Sequence, residues 1–146
     1  MKLVIDASVW VAAFVRSDVH HAQADQLLEK CLASRINVIV PEIVLLEVAA
    51  GVARLWQDEG PGQIAAKRIE RFPKIKFVAL QMAFLNRSIL LATRHFLRAA
   101  DALYVAAARQ SKASLVTLDA EMLQRGKAAA TVLNPTDWLG SLAQKR

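Results

Sequence analysis

The chain has 146 residues, enough for one domain with its own core, and 55% of them are hydrophobic, which excludes a disordered protein. Nineteen Lys and Arg against 13 Asp and Glu give a net charge of +6, the balance of a small protein disposed to meet polyanions. A single cysteine, Cys31, excludes an internal disulfide, and three histidines without cysteine partners show no zinc-site spacing.

No apolar run reaches the roughly 18–20 residues that cross a bilayer, so no membrane partner is expected. The opening MKLVIDASVWVAAFV imitates a signal peptide, but Asp6 interrupts it and no small-residue cleavage site follows, so a cytoplasmic protein is expected. KLVI (2–5) reads as a strand and 7–16 as a short, mostly buried helix. Helical spacing of Ala22, Leu27, Leu28, Cys31 and Leu32 marks a helix over 20–34. INVIV (36–40) is a second strand closed by Pro41, with Glu42 in the first turn of a long apolar helix ending near 56. DEGPG (58–62) breaks the chain before a basic helix, 63–71, and Pro73 precedes a third strand, KIKFVAL.

Helices follow over 81–96 and 100–112, then a strand at 114–118, a helix at 120–126 ending at Gly126, a fifth strand at 130–133 and a terminal helix at 135–142. Neither repeats nor linkers divide the chain, so one domain over 1–146 is expected. Strands alternating with helices predict an α/β protein, a three-layer α/β/α sandwich around a parallel sheet of four to five strands.

In such sheets ligands gather at the carboxyl ends of the strands. Asp6 follows the first strand, Asp119 follows the fourth, and Asp101 opens the alanine-rich helix. Each of these three could instead be a helix N-cap, a role compatible with ligand binding. Glu47 has Ile43, Val44, Ala50 and Gly51 around it on its helical face. A carboxylate on so apolar a face needs neutralising, by a buried arginine or by a metal shared with the other three acids. With four acids occupied by metal, nine acids would face 19 bases, a surface that attracts phosphate around a pocket that holds cations.

The segments VIDASVW, PEIVLLEVA, RAADALYVAAA, LVTLDAEML and VLNPTDWL, in this order, resemble the PIN-domain family, most closely the VapC-like toxin ribonucleases of toxin–antitoxin pairs. The resemblance spans nearly the whole chain. It implies that Asp6, Glu47, Asp101 and Asp119 are the family's catalytic and metal-binding acids, and that Ser8 and Thr117 support the metal site. It also implies Mg²⁺ or Mn²⁺, an RNA substrate cut to 5′-phosphate and 3′-hydroxyl ends, a homodimer and a cognate antitoxin. Asp6 and Asp101 are the expected direct ligands, with Glu47 and Asp119 acting through water or orienting the attacking water.

Arg16, Arg94 and Arg98, with His95, are candidates for holding RNA phosphates, against the plainer reading of a solvated basic face. The cluster KRIERFPKIK (67–76) is a second basic patch. Trp10 and Tyr104 lie in apolar helices and are read as core, while Trp56 is placed to meet a dimer or antitoxin partner. A haloacid-dehalogenase-type phosphatase would need an acid where Ser8 stands, and a receiver domain an acid pair that is missing. The stronger rival is a catalytically silent RNA-binding module of the same fold; a purely structural partner-binding domain would leave Glu47 unexplained.

Overall fold

Leu3, Val4 and Ile5 expose no surface, the pattern of a parallel strand covered on both faces. In the computed structural model, which describes residues 1–144, they form β1 (Lys2–Ile5) at the centre of a sheet. β2 (Asn37–Pro41) and β4 (Ser114–Val116) flank it, and β3 (Ile75–Val78) and β5 (Val132–Leu133) form the edges. The order is β3-β2-β1-β4-β5 and every pairing is parallel.

Parallel neighbours need crossovers, and helices supply them. α1 (Ala7–Phe14) and α2 (His21–Ala33) join β1 to β2; α3 (Ile43–Trp56) and α4 (Glu59–Glu70) join β2 to β3. α5 (Met82–His95) and α6 (Ala99–Ser111) carry the chain back across the sheet to β4. α7 (Ala120–Arg125) and a 3₁₀ turn, Gly126–Ala128, lead to β5, and α8 (Pro135–Ala143) follows. The α/β architecture read from the sequence is the observed one, with five strands in the sheet.

The order of the strands creates the site. From β1 the chain steps outward to β2 and β3, then returns to the other side of β1 at β4. At that reversal the crossovers diverge, leaving a crevice beyond the carboxyl ends of β1 and β4. α6 packs over β1, β2 and β4, and all its residues from Asp101 to Ala108 are buried. Its alanines leave room for the backbone to lie close to the sheet. Trp10 is fully buried and meets Phe72 edge-on at 5.1 Å between ring centroids, so its assignment to the core holds; Trp138 is buried as well. Cys31 is buried, and burial pushes its thiol up to about 12, far from a reactive thiolate. No helix among the described residues is long and apolar enough to cross a membrane.

The structure differs from the sequence reading in several local places. The helix expected from Gln63 begins at Glu59 and runs through Gly60, Pro61 and Gly62. Asp58 caps it by accepting from the Gly60 amide at 2.9 Å, and Pro61 falls in the first turn, where its missing N–H has no intrahelical partner to lose. Pro41 ends the strand and Glu42 stands at the helix N-cap, its carboxylate accepting from the Leu80 amide at 2.9 Å. β4 stops at Val116 because the Leu118 and Asp119 amides turn to the hydroxyls of Ser8 and Thr117, both at 3.0 Å. Helix α7 ends at Arg125, with Gly126 opening the 3₁₀ turn, and β5 holds only two of the four residues expected.

Gly62 marks where α4 presses on α3. A Cβ there would lie 2.4 Å from the Ala49 carbonyl oxygen and 3.0 Å from the Ala53 Cβ. In an open helix Gly→Ala gains about 1 kcal/mol of helix propensity. Here Gly62→Ala is expected to destabilise the protein by about 1–3 kcal/mol in urea unfolding, because the clash is with backbone. A neutral or stabilising result would show that the two helices can part freely.

A candidate active site of clustered carboxylates

Asp6 is the first residue beyond β1, still tied to the sheet through its amide, which donates to the Val116 carbonyl at 3.0 Å. Its side chain caps α1 by accepting from the Ser8 amide at 3.3 Å. The same oxygen, Oδ2, accepts from Ser8 Oγ at 2.5 Å and from Thr117 Oγ1 at 2.9 Å. Thr117 is wholly buried and its hydroxyl also accepts from the Asp119 amide, so one threonine ties the carboxyl ends of β1 and β4 together. Ser8 and Thr117, singled out from the sequence, thus share contact with the Asp6 carboxylate.

Asp119 caps α7 by accepting from the Met122 amide at 2.9 Å. Asp101 was expected to open its helix, but it is the third residue of α6, and Arg98 takes the N-cap position. The Arg98 side chain then bridges the two aspartates: Nε lies 2.8 Å from Asp101 Oδ2, and Nη2 lies 2.7 Å from Asp119 Oδ1. A fifth acid, Glu121, stands 3.6 Å from Arg98 Nε and is also held by Arg125 at 3.3 Å. Sequence reasoning missed Glu121; its only signal was its place two residues after Asp119, where one helical turn begins.

Glu47 comes from α3, on the far side of α6. The face expected to be wholly interior is only partly so: Val44, Val48 and Val52 form the buried stripe, Ala50 is exposed, and Glu47 sits on the flank, half-buried. No arginine among the described residues pairs with it. Its partner is Tyr104, whose hydroxyl donates to Glu47 Oε1 at 2.8 Å. Tyr104 is buried as expected of a core residue, but it also has this polar task. The clue was its place three residues after Asp101, on the same face of α6.

The charges of several of these side chains act on one another. Burial, only partly offset by the Ser8 and Thr117 hydrogen bonds, raises the Asp6 pKa. Burial raises Glu47 against the Tyr104 hydrogen bond, and the charges of Asp6 and Asp101 raise it further. Asp101 is also raised, by burial first, against the pull of Arg98 and with added repulsion from Asp6 and Asp119. Partial burial pushes Asp119 up too, but the Arg98 hydrogen bond, the Met122 amide and the Arg98 charge outweigh it, leaving its carboxyl below the ordinary value. Tyr104 is raised by burial and by the Asp6 and Glu47 charges, so it remains a hydrogen-bond donor.

Asp6 and Glu47 have no ion-pair partner among the described residues. Two desolvated acids without a cation, beside two more carboxylates and hydroxyl groups, form a hard oxygen donor set that fits Mg²⁺ or Mn²⁺. Among the described residues no three acid or histidine side chains already close around one point. Arg98 instead draws Asp101 and Asp119 to itself. Of the other basic candidates, Arg16 is exposed in the turn after α1, and Arg94 lines a groove between α5 and α6 with Arg87, Leu90 and Arg109. Neither pairs with an acid among the described residues.

A doubly wound parallel sheet with four carboxylates beside its reversal point defines an acid-lined α/β domain. The family model for the PIN domain matches residues 3–128, and the chain belongs to that family. Among solved structures it is similar to Mycobacterium tuberculosis VapC20, described as a Sarcin-Ricin loop cleaving toxin (19% identity, 82% of this chain and 92% of that one covered, TM-score 0.67). VapBC2 from Rickettsia felis, bound to a DNA fragment from its promoter, is similar at 17% identity over 92% and 98% of the two chains (TM-score 0.70). A toxin–antitoxin complex from Klebsiella pneumoniae matches at 20% identity over 91% and 97% (TM-score 0.65). At these identities the likeness is one of fold. No curated protein is similar enough in sequence to count as a relative.

Proposed function

We propose that the protein is a metal-dependent endoribonuclease, the toxin of a toxin–antitoxin pair. The observation that carries this reading is the neighbourhood of Asp6, Glu47, Asp101 and Asp119, from four separate segments, two of them without a cation partner among the described residues. The family membership and the toxin folds it resembles support it. The four carboxylates would hold Mg²⁺ or Mn²⁺. A bound ion of this kind lowers the pKa of a coordinated water and offsets charge building on the phosphate.

The residues of the chain supply the rest. Ser8 and Thr117 fix the Asp6 carboxylate, and Tyr104 fixes Glu47 through Oε1, leaving Oε2 without a partner among the described residues. With its raised pKa, Glu47 is suited to take a proton from the attacking water at Oε2. The water oxygen bonds to phosphorus, the bond to the 3′ oxygen breaks, and that oxygen takes a proton from solvent, giving 5′-phosphate and 3′-hydroxyl ends. Leu46, Leu55 and Trp56 are exposed on α3, an apolar surface that fits cover by an antitoxin or a second copy. The site of action would be the cytoplasm, where RNA is met.

The test is cleavage of single-stranded RNA with Mg²⁺ or Mn²⁺ against EDTA. Cutting that stops with the chelator and returns with metal is expected. A silent RNA-binding module would retain RNA under both conditions and cut under neither, and that result would overturn the proposal.

A further inference from the structure

Arg98 stands at the mouth of the acid cluster, and its position raises a question of competition. Its guanidinium touches Asp101 and Asp119 within 2.8 Å, each through an oxygen that a divalent ion would also need. The side chain is 53% exposed, so it lies at the surface and not in the packed core. Nor is it needed elsewhere: Glu121 keeps its contact with Arg125, which is itself anchored on the Phe96 carbonyl at 2.9 Å. Asp6 and Glu47 have no such cation among the described residues. One positive charge therefore sits on two of the four acids, and no cation among the described residues pairs with the other two.

We propose that Arg98 is a displaceable internal counter-cation: it holds Asp101 and Asp119 in the metal-free protein, yields those oxygens to a divalent metal, and then grips an RNA phosphate at the same mouth. This inference rests on the metal-dependent nuclease reading above. A cation and a divalent ion that share carboxylate oxygens oppose each other, so removing the arginine should favour the metal. A purely orienting arginine would do the reverse, since the carboxylates would lose their alignment. The two roles predict opposite signs.

The experiment is calorimetric titration of Mn²⁺ into the native protein, Arg98→Gln and Arg98→Lys, with steady-state cleavage of single-stranded RNA as a function of salt. Arg98→Gln is expected to bind Mn²⁺ about tenfold more tightly. Its metal-free form should melt at a lower temperature, because Asp101 and Asp119 lose their partner. Its KM for RNA should rise about tenfold, with the slope of log KM against log salt smaller by about 0.7, the loss of one phosphate contact on a single strand. Arg98→Lys keeps the charge and should stay within about threefold of the native Mn²⁺ affinity. Unchanged or weaker Mn²⁺ binding by Arg98→Gln would overturn the counter-cation role, and an unchanged KM and salt slope would overturn the phosphate grip. If the native protein binds no Mn²⁺, the nuclease reading itself fails, which separates that failure from the other two.

Discussion

Asp6→Asn is expected to lower RNA cleavage by about a thousandfold while leaving the fold at least as stable at neutral pH without metal. Asp6 sits deepest of the four acids, 5% exposed, on the central strand. Burial raises its pKa, so its charge opposes folding in the absence of a cation. Asparagine keeps an oxygen that can accept from Ser8 and Thr117, yet it removes the charge that a divalent ion requires. Loss of catalysis with an equal or higher metal-free melting temperature separates a ligand from a structural residue. Native cleavage rates in Asp6→Asn would reject the assignment, and a collapsed fold would show that the carboxylate is structural.

The second large effect is on stability against pH. Without metal the protein is expected to be most stable in mild acid and to lose several degrees of melting temperature as the pH rises toward neutrality. Asp6, Glu47 and Asp101 all have folded pKa values above their ordinary ones. Between those limits the folded state binds more protons than the unfolded chain, so stability falls with rising pH. Their contribution is complete below the unfolded values and is lost as the pH passes the raised ones. Asp119, lowered by Arg98, works the other way: its contribution is present above the unfolded value and lost as the pH falls. Three groups outnumber one, and Asp6, the most buried, has the strongest desolvation. Saturating Mg²⁺ or Mn²⁺ should flatten the curve, because metal replaces the protons. Thermal melts from about pH 5 to 8, in EDTA and in Mg²⁺, measure this. A metal-free protein whose melting temperature climbs steadily over that range would mean that these acids are not raised above their ordinary values.

How much of this could be read from the sequence depended on how local the cause was. Asp6 and Asp119 were legible because a short apolar strand ends just before each, and a parallel sheet gathers such ends on one side. Glu47 was legible as an acid on an apolar helix, though the true buried stripe, Val44, Val48 and Val52, runs beside it rather than around it. The start of α4 was hidden because Gly60, Pro61 and Gly62 look like a breaker, and only contact with α3 makes glycine the fitting residue there. The Tyr104–Glu47 bond spans 57 residues and joins α6 to α3, which no local spacing encodes. The same holds for Arg98, read from the sequence as a basic group for phosphate, whose guanidinium meets carboxylates instead.

The hydroxyl that steadies Asp6 lies 111 residues further along the chain. During synthesis at roughly 5–20 residues per second, the first acid therefore emerges some 5 to 20 seconds before Thr117 exists to orient it. β1 cannot gain its β4 neighbour until that later stretch leaves the ribosome, and Asp101 and Asp119 likewise follow Asp6 by some hundred residues. The Asp6 carboxylate thus stays without its Thr117 hydrogen bond until β4 has been made and has paired with β1.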